Sequence, residues 1–128
     1  MKLLLDTHAL LWWLANDARL SVAARTAISD PAATVLISSA SVWEIATKAR
    51  LGKLSGVQRL LTDFDAVIAA EQFVPLPISA KHALLAGQFS AAHRDPFDRM
   101  LAAQAIIDGA LLVSSDQALR EFDVRLLW

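Results

Sequence analysis

Residues 2–8 read KLLLDTH, a short apolar run that gives way to a carboxylate, a hydroxyl and an imidazole. An apolar run of this length predicts a fully buried strand over Lys2 to Leu5, with Asp6 at its carboxyl end. Val35 to Ile37 and Leu111 to Val113 repeat this form, because each is apolar throughout and is followed directly by serine. These three runs define the predicted sheet.

Helical patterns separate these strands. Six helices are predicted: His8 to Ala15, a segment capped by Ser21, Ser41 to Leu51, Val57 to Ile68, a segment starting at Ser79, and Pro96 to Gly109. In the second of these, Val22, Ala23, Ala27 and Ile28 are expected to face inwards. Two weaker strands are expected at Phe73 to Leu76, at a sheet edge because of Pro75, and at Val124 to Leu127. Continuous apolar strands that alternate with helices indicate an α/β fold with three α/β/α layers and a mainly parallel central sheet.

Composition limits the class of protein. A chain of 128 residues that is 55% hydrophobic and 20% charged is expected to form one folded domain over residues 1–128 and is not disordered. The longest apolar run, Ala9 to Ala15, is far shorter than the roughly 20 residues of a membrane-spanning helix. We therefore expect a protein partner, rather than a membrane, to cover the apolar excess.

The chemistry available to the chain is also limited. It has no cysteine, which excludes disulfides, cysteine-bound zinc and thiol catalysis and fits a cytoplasmic location. Asp6 and His8 interrupt the N-terminal apolar segment, which argues against a signal peptide. The net charge is −1, so any nucleic-acid binding would depend on a local cationic patch. No glycine-rich phosphate-binding motif is present, so a nucleotide cofactor has no support.

Four carboxylates fall where a parallel sheet binds ligands. Asp6 and Asp116 follow predicted strands, whereas Glu44 and Asp98 lie in the first turns of predicted helices. Ligands of open α/β sheets bind beyond the carboxyl ends of the strands. We therefore expect the four side chains to meet at one edge of the sheet.

Such a cluster is electrostatically unfavourable without a cation. Two carboxylates about 5 Å apart repel by roughly 3 kcal/mol at an effective dielectric constant near 20. Carboxylates and water are ligands that suit Mg²⁺ or Mn²⁺. A cation of this kind activates water and neutralises phosphate charge, which points to hydrolysis of phosphodiester bonds.

Each acid also has a structural interpretation. Asp6, Asp95 and Asp116 could cap helices, and Ser41 with Glu44 matches the capping box, in which the Glu44 carboxylate would turn back to the Ser41 N–H. The alternative function is therefore a non-catalytic α/β interaction module whose acidic residues are helix caps. A phosphoaspartate receiver is disfavoured because Asp6 stands alone and no lysine follows Lys81.

Four segments carry a resemblance to a known family. They are LDTHALLW at 5–12, SVWEI at 41–45, DPFDRMLAAQA at 95–105 and SSD at 114–116. Together they resemble the PIN-domain nucleases and, more narrowly, the VapC toxins of toxin–antitoxin pairs. The likeness runs along the whole chain, and its DPFDR and DTH segments are the most specific.

The resemblance implies a metal-dependent endoribonuclease that forms a homodimer and is silenced by a VapB-like antitoxin. Asp6, Glu44 and Asp98 would take the family's three main acidic positions and Asp116 its variable fourth. Mg²⁺ or Mn²⁺ would be held by Asp6 and Asp98, with Asp116 and Glu44 completing or orienting the shell. For the RNA we expect contacts from Arg94, Arg99, Thr7 and Ser115. The Thr7 and Ser115 hydroxyls could instead fix the carboxylates or the attacking water, or be ordinary strand-end hydroxyls, and Arg99 could instead hold a neighbouring acid.

Overall fold

The computed structural model describes residues 1–128 and contains one five-stranded sheet. All neighbouring strands are parallel, in the order β3-β2-β1-β4-β5. The strands are β1 (Lys2–Leu5), β2 (Thr34–Ser38), β3 (Val74–Leu76), β4 (Leu111–Val113) and β5 (Leu126–Leu127). β3 lies at an edge, as Pro75 predicts.

Seven α-helices and one 3₁₀-helix connect the strands. The α-helices are α1 (Thr7–Leu14), α2 (Val22–Ser29), α3 (Ser39–Arg50), α4 (Gln58–Thr62), α5 (Phe64–Ala70), α6 (Ala80–Gln88) and α7 (Pro96–Asp108), and the 3₁₀-helix is Gln117–Phe122. Every helix in the structure is too short or too polar to traverse a lipid bilayer.

The sheet is covered on both faces. Because side chains alternate along a strand, Leu3 and Leu5 belong to one buried cluster with residues of α1, α2, α3, α4 and α5. Leu4 lies on the other face, in a cluster with residues of α7 and the 3₁₀-helix. This is the predicted α/β/α sandwich, and the sequence prediction of the fold class is confirmed.

The register of the central strands positions the site. Leu5 of β1 pairs with Ile37 of β2 on one side and with Val113 of β4 on the other. The pairing continues one residue further, because the Asp6 N–H donates to the Val113 carbonyl over 3.0 Å. The carboxyl ends of β1, β2 and β4 are therefore level with one another.

Three local predictions are wrong. The helix expected from Val57 to Ile68 is two short helices that break at Asp63, whose backbone leaves the helical region. In α2, Val22 is 84% exposed, and Ala24 joins Ile28 on the buried face instead. α3 begins two residues earlier than expected, because the Ser38 hydroxyl accepts the Ala40 N–H and caps it.

A buried histidine fastens α6 to α7. His82 Nδ1 accepts the N–H of Ser79 over 3.0 Å, while the Ser79 hydroxyl accepts the His82 N–H, which forms a capping box. The other ring nitrogen, Nε2, lies 2.7 Å from the Asp108 carboxylate at the end of α7. Both nitrogens of a side chain that is 6% exposed are therefore engaged.

We expect His82→Ala to lower the free energy of unfolding by about 2–3 kcal/mol, because it leaves a backbone donor and a carboxylate without their partner. Urea denaturation followed by circular dichroism measures the change. Lys81→Ala, at the exposed neighbouring position, serves as the control and should change stability little. Equal stability of the two variants would contradict the role given to His82.

Candidate active site

Asp6 lies at the end of β1 and caps α1. Its Oδ1 accepts the Ala9 N–H over 2.8 Å, and the residue is 8% exposed. Burial raises the pKa of Asp6, hydrogen bonds from the Ser114 side chain and the Ala9 N–H oppose that rise, and the nearby Glu44 carboxylate adds to it. Asp6 is therefore both a helix cap and a buried carboxylate that repels a second acid.

Glu44 is held from two sides. Oε1 accepts the Thr7 hydroxyl over 2.6 Å, and Oε2 pairs with the Lys48 ammonium one turn further along α3. The Ser41 hydroxyl lies 3.1 Å from the Thr7 oxygen and belongs to the same buried network. The alternative of a capping box between Ser41 and Glu44 is excluded, and the predicted position of Glu44 in the first turn is wrong, because α3 starts at Ser39 and Glu44 lies in its second turn.

Lys48 supplies a positive charge beside the acids. The hydrogen bond to Glu44 raises the pKa of Lys48, and the carboxylates of Asp95 and Asp98 raise it further. One ammonium group therefore interacts with acids from α3 and from the start of α7. It balances only part of their charge.

Asp98 lies in the first turn of α7, next to a histidine. Asp98 Oδ2 is 2.9 Å from His93 Nε2. Burial raises the pKa of Asp98, the hydrogen bond to His93 opposes that rise, and the charges of Asp95 and Glu44 add to it. Asp116 is close as well: one ligand atom each from His93, Asp98 and Asp116 lie within 4.8 Å of one another.

The four acids thus lie at one edge of the sheet. Glu44 contacts Thr7, next to Asp6, and its charge adds to the raised pKa of both Asp6 and Asp98, but the group of ligand atoms within 4.8 Å holds Asp98 and Asp116 and neither Asp6 nor Glu44. Capping accounts for only two of the four, since Asp6 accepts a backbone N–H of α1 and Asp116 accepts one of the 3₁₀-helix. Glu44 and Asp98 accept no backbone N–H, so the interaction-module alternative leaves them unexplained.

Asp95 caps helix α7 and is not part of the cluster of acids. Its Oδ1 accepts the N–H groups of Phe97 and Asp98 over 2.9 and 3.1 Å, and Pro96 occupies the first turn. Asp95 therefore caps α7, and Asp98 is the acid that faces His93 and Asp116.

The predicted RNA contacts divide into two groups. Arg94 and Ser115 are exposed and remain available. Arg99 does not support the predicted phosphate contact, because its guanidinium donates to four carbonyls, those of Ala86, Phe89, Ala91 and His93. Thr7 is buried against Glu44, so it orients a carboxylate and is not placed to touch RNA.

Two members of the site were not singled out from the sequence. His93 lies in the loop between α6 and α7, where no periodicity predicts its direction. Ser114 is fully buried and bonds to Asp6, whereas its neighbour Ser115 points to solvent. The alternation of side chains at the end of β4 could have distinguished the two serines.

The donors present fit a hard divalent cation. The site offers carboxylate oxygens from four residues, and a single ammonium group balances part of their charge. Oxygen donors of this kind suit Mg²⁺ or Mn²⁺. The fold and site therefore define a class: a parallel α/β protein with a carboxylate centre of the kind that metal-dependent hydrolases use.

Comparison with known proteins narrows the class. The PIN domain family matches residues 3–125, and the chain belongs to that family. It is similar to Ribonuclease VapC22 of Mycobacterium tuberculosis, with 33% identity over 119 residues that cover 91% of this chain and 88% of the relative. The predicted resemblance to PIN-domain nucleases is confirmed.

Solved structures share the fold. VapBC2 from Rickettsia felis bound to a promoter DNA fragment and VapBC-1 from nontypeable Haemophilus influenzae each match with a TM-score of 0.70 at 16% identity, covering 98% of this chain and 96% of theirs. FitAcB from Neisseria gonorrhoeae matches with a TM-score of 0.61 at 19% identity, covering 97% of this chain and 95% of that one.

We expect Asp6→Asn to raise the stability of the metal-free protein at neutral pH by about 1 kcal/mol or more, because taking a charge out of water into the protein costs free energy. Asparagine caps a helix as well as aspartate does, so the comparison isolates the charge. Thermal and urea denaturation in the presence of a chelator measure the effect. Asp6→Ala, which also loses the cap, should be less stable than Asp6→Asn.

The stability difference between Asp6→Asn and the unsubstituted protein should depend on pH. Folding raises the pKa of Asp6 above its ordinary value of 3.8, so the folded protein holds the proton more tightly than the unfolded chain. The cost of the buried charge is fully present above the folded pKa and is removed as pH falls towards 3.8. The advantage of Asp6→Asn should therefore shrink on acidification, and an advantage that grows would contradict this assignment.

Proposed function

We propose that the chain is a metal-dependent endoribonuclease that hydrolyses phosphodiester bonds of RNA and acts as the toxin of a toxin–antitoxin pair. The observation that carries the proposal is that acids from distant segments lie at one sheet edge: Glu44 is bonded to Thr7, the residue after Asp6, and Asp98 and Asp116 have carboxylate oxygens within 4.8 Å of each other. The similarity to a ribonuclease across nearly the whole chain supports it. Asp116 is the fourth acid of the proposed site.

Asp6, Asp98 and Asp116 are the proposed ligands of the cation, Mg²⁺ or Mn²⁺. A cation bound there would supply activated water and neutralise charge on the phosphate oxygens. Glu44 is the only acid of the four that is tied to a permanent cation, since Lys48 shares its Oε2. We therefore assign Glu44 the orienting role, with Thr7 fixing its other oxygen.

Phosphate contacts require cations that are free to reach the RNA backbone. Arg94 is exposed, forms none of the ion pairs in the structure, and lies four residues before Asp98. Ser115 is an exposed hydroxyl next to Asp116. These two residues remain the proposed contacts to RNA, whereas Arg99 supports the loop that precedes α7.

We expect Asp98→Asn to reduce RNA cleavage by at least about 100-fold, as removal of a group that stabilises charge in the transition state does, while the protein stays folded. Cleavage of a labelled RNA in Mn²⁺ or Mg²⁺, with a chelator as the blank, measures it. Asp65→Asn, at an exposed position in the first turn of α5, is the matched control.

The alternative makes the opposite prediction. An interaction module whose acids are caps would show no cleavage and no stabilisation by Mn²⁺. A true cation site would stabilise the folded protein by mass action as Mn²⁺ rises above its dissociation constant. Full cleavage by Asp98→Asn would remove Asp98 from the proposed site.

A VapB-like antitoxin is the proposed partner, since the similar solved structures include the VapBC and FitAB complexes. We also propose a homodimer in the cytoplasm. Exposed apolar side chains support a protein partner: Trp43 is 59% exposed and Leu84 is 62% exposed. Large exposed aromatic residues frequently anchor interfaces.

Light scattering of the purified chain at micromolar concentration tests the dimer. We expect the mass of two chains, and Trp43→Ala should shift the population towards single chains if Trp43 lies in that interface. A single-chain mass for the unsubstituted protein would contradict the proposed homodimer.

A further inference from the structure

His93 is fixed in place although it lies in a loop. Arg99 donates to the His93 carbonyl over 2.9 Å and to the carbonyls of Phe89 and Ala91 in the same loop. The imidazole also packs edge-on against Phe122, with ring centroids 5.4 Å apart. Only 16% of the His93 side chain is exposed. His93 therefore offers a ring nitrogen in a fixed position.

The distances around His93 suit a shared cation. His93 Nε2 and Asp98 Oδ2 are 2.9 Å apart, and an Asp116 oxygen completes a group of atoms within 4.8 Å. Adjacent ligands of an octahedral ion lie about 3 Å apart when each metal–ligand distance is about 2.1 Å. His93 and Asp98 therefore already have the spacing of adjacent ligands around one ion, and the Asp116 oxygen lies within 4.8 Å of the other two ligand atoms.

The far side of the ring faces a further acid. His93 Nδ1 lies 3.8 Å from the Glu121 carboxylate Oε2, which is longer than a direct hydrogen bond. Histidines that bind metals commonly direct their other ring nitrogen to a carboxylate, which sets the tautomer and the ring orientation. With Nε2 beside Asp98 and Nδ1 on the Glu121 side, the ring has the orientation of such a ligand.

We propose that His93 is a nitrogen ligand of the divalent cation at Asp98 and Asp116, and that it makes this site prefer Mn²⁺ to Mg²⁺. The inference rests on the proposed metal dependence and adds a residue and a metal preference to it. Mg²⁺ favours oxygen ligands and keeps its water, whereas imidazole is a good ligand for first-row transition metals.

The experiment uses Mn²⁺ alone as the probe. Electron spin echo modulation of Mn²⁺ bound to the full chain detects the nucleus of a directly bonded imidazole nitrogen. Titration calorimetry with Mn²⁺ and, separately, with Mg²⁺ gives the two affinities. The variant is His93→Gln, and the matched control is His8→Gln. His8 is exposed and interacts electrostatically with Asp6, but it does not belong to the group formed by His93, Asp98 and Asp116.

We expect a nitrogen signal in the unsubstituted protein and in His8→Gln, and none in His93→Gln. The affinity of His93→Gln for Mn²⁺ should be at least about tenfold weaker, because loss of even an outer-shell partner of a metal ligand weakens metal binding by about that factor. The affinity for Mg²⁺ should change much less. Circular dichroism and thermal melting without metal check that the variant is folded.

Three results would overturn the inference: no nitrogen signal in the unsubstituted protein, a signal that persists in His93→Gln, or equal weakening of Mn²⁺ and Mg²⁺ binding. The last would make His93 a positioning residue for Asp98. The readouts do not depend on RNA cleavage, so an inactive protein that binds Mn²⁺ through His93 would contradict the proposed function alone. Cleavage without the nitrogen signal would contradict only the role of His93.

Discussion

Parallel pairing of β1 with both β2 and β4 is the constraint on which the site depends. It places the ends of three strands side by side, so Asp6, the start of α3 and the segment after β4 must be neighbours. Burying these carboxylates opposes folding: burial is the main cause of the raised pKa values of Asp6 and Asp98, and repulsion by Glu44 adds to both. The apolar clusters on both faces of the sheet offset this cost.

The protein balances each acid differently. Asp6 receives a backbone N–H and a serine, Glu44 receives a threonine and a lysine, and Asp98 receives a histidine. Of these partners only Lys48, which is paired with Glu44, carries a permanent positive charge. This uneven distribution leaves Asp6, Asp98 and Asp116 with unbalanced charge, which is the reason for assigning them, rather than Glu44, to a cation.

The strands and the acid cluster could be predicted from the sequence because both follow from short-range patterns. The short apolar run of Lys2 to Leu5 favours a buried strand, and a residue directly after such a strand lies at the sheet edge. The boundary of α3 could not be predicted as well, since Ser38, Ser39 and Ser41 are all good caps. Choosing Ser41 placed Glu44 in the wrong turn.

The remaining errors concern side chains whose partners are set by a loop. Arg99 looks like a phosphate contact in sequence, but its carbonyl partners include Phe89, Ala91 and His93 of the segment between α6 and α7. His93 had no detectable pattern for the same reason. Loop conformation follows from tertiary contacts, and a spacing rule has no access to them.

The sheet edges have a consequence for how the chain behaves at high concentration. A sheet with open edges can recruit strands from other molecules, which leads to aggregation. Here β3 has three residues and contains Pro75, which has no N–H to offer a newcomer, and β5 has only two residues. Although 55% of its residues are hydrophobic, the chain has short edge strands on both sides of its sheet. These strands offer few backbone groups with which another molecule could pair.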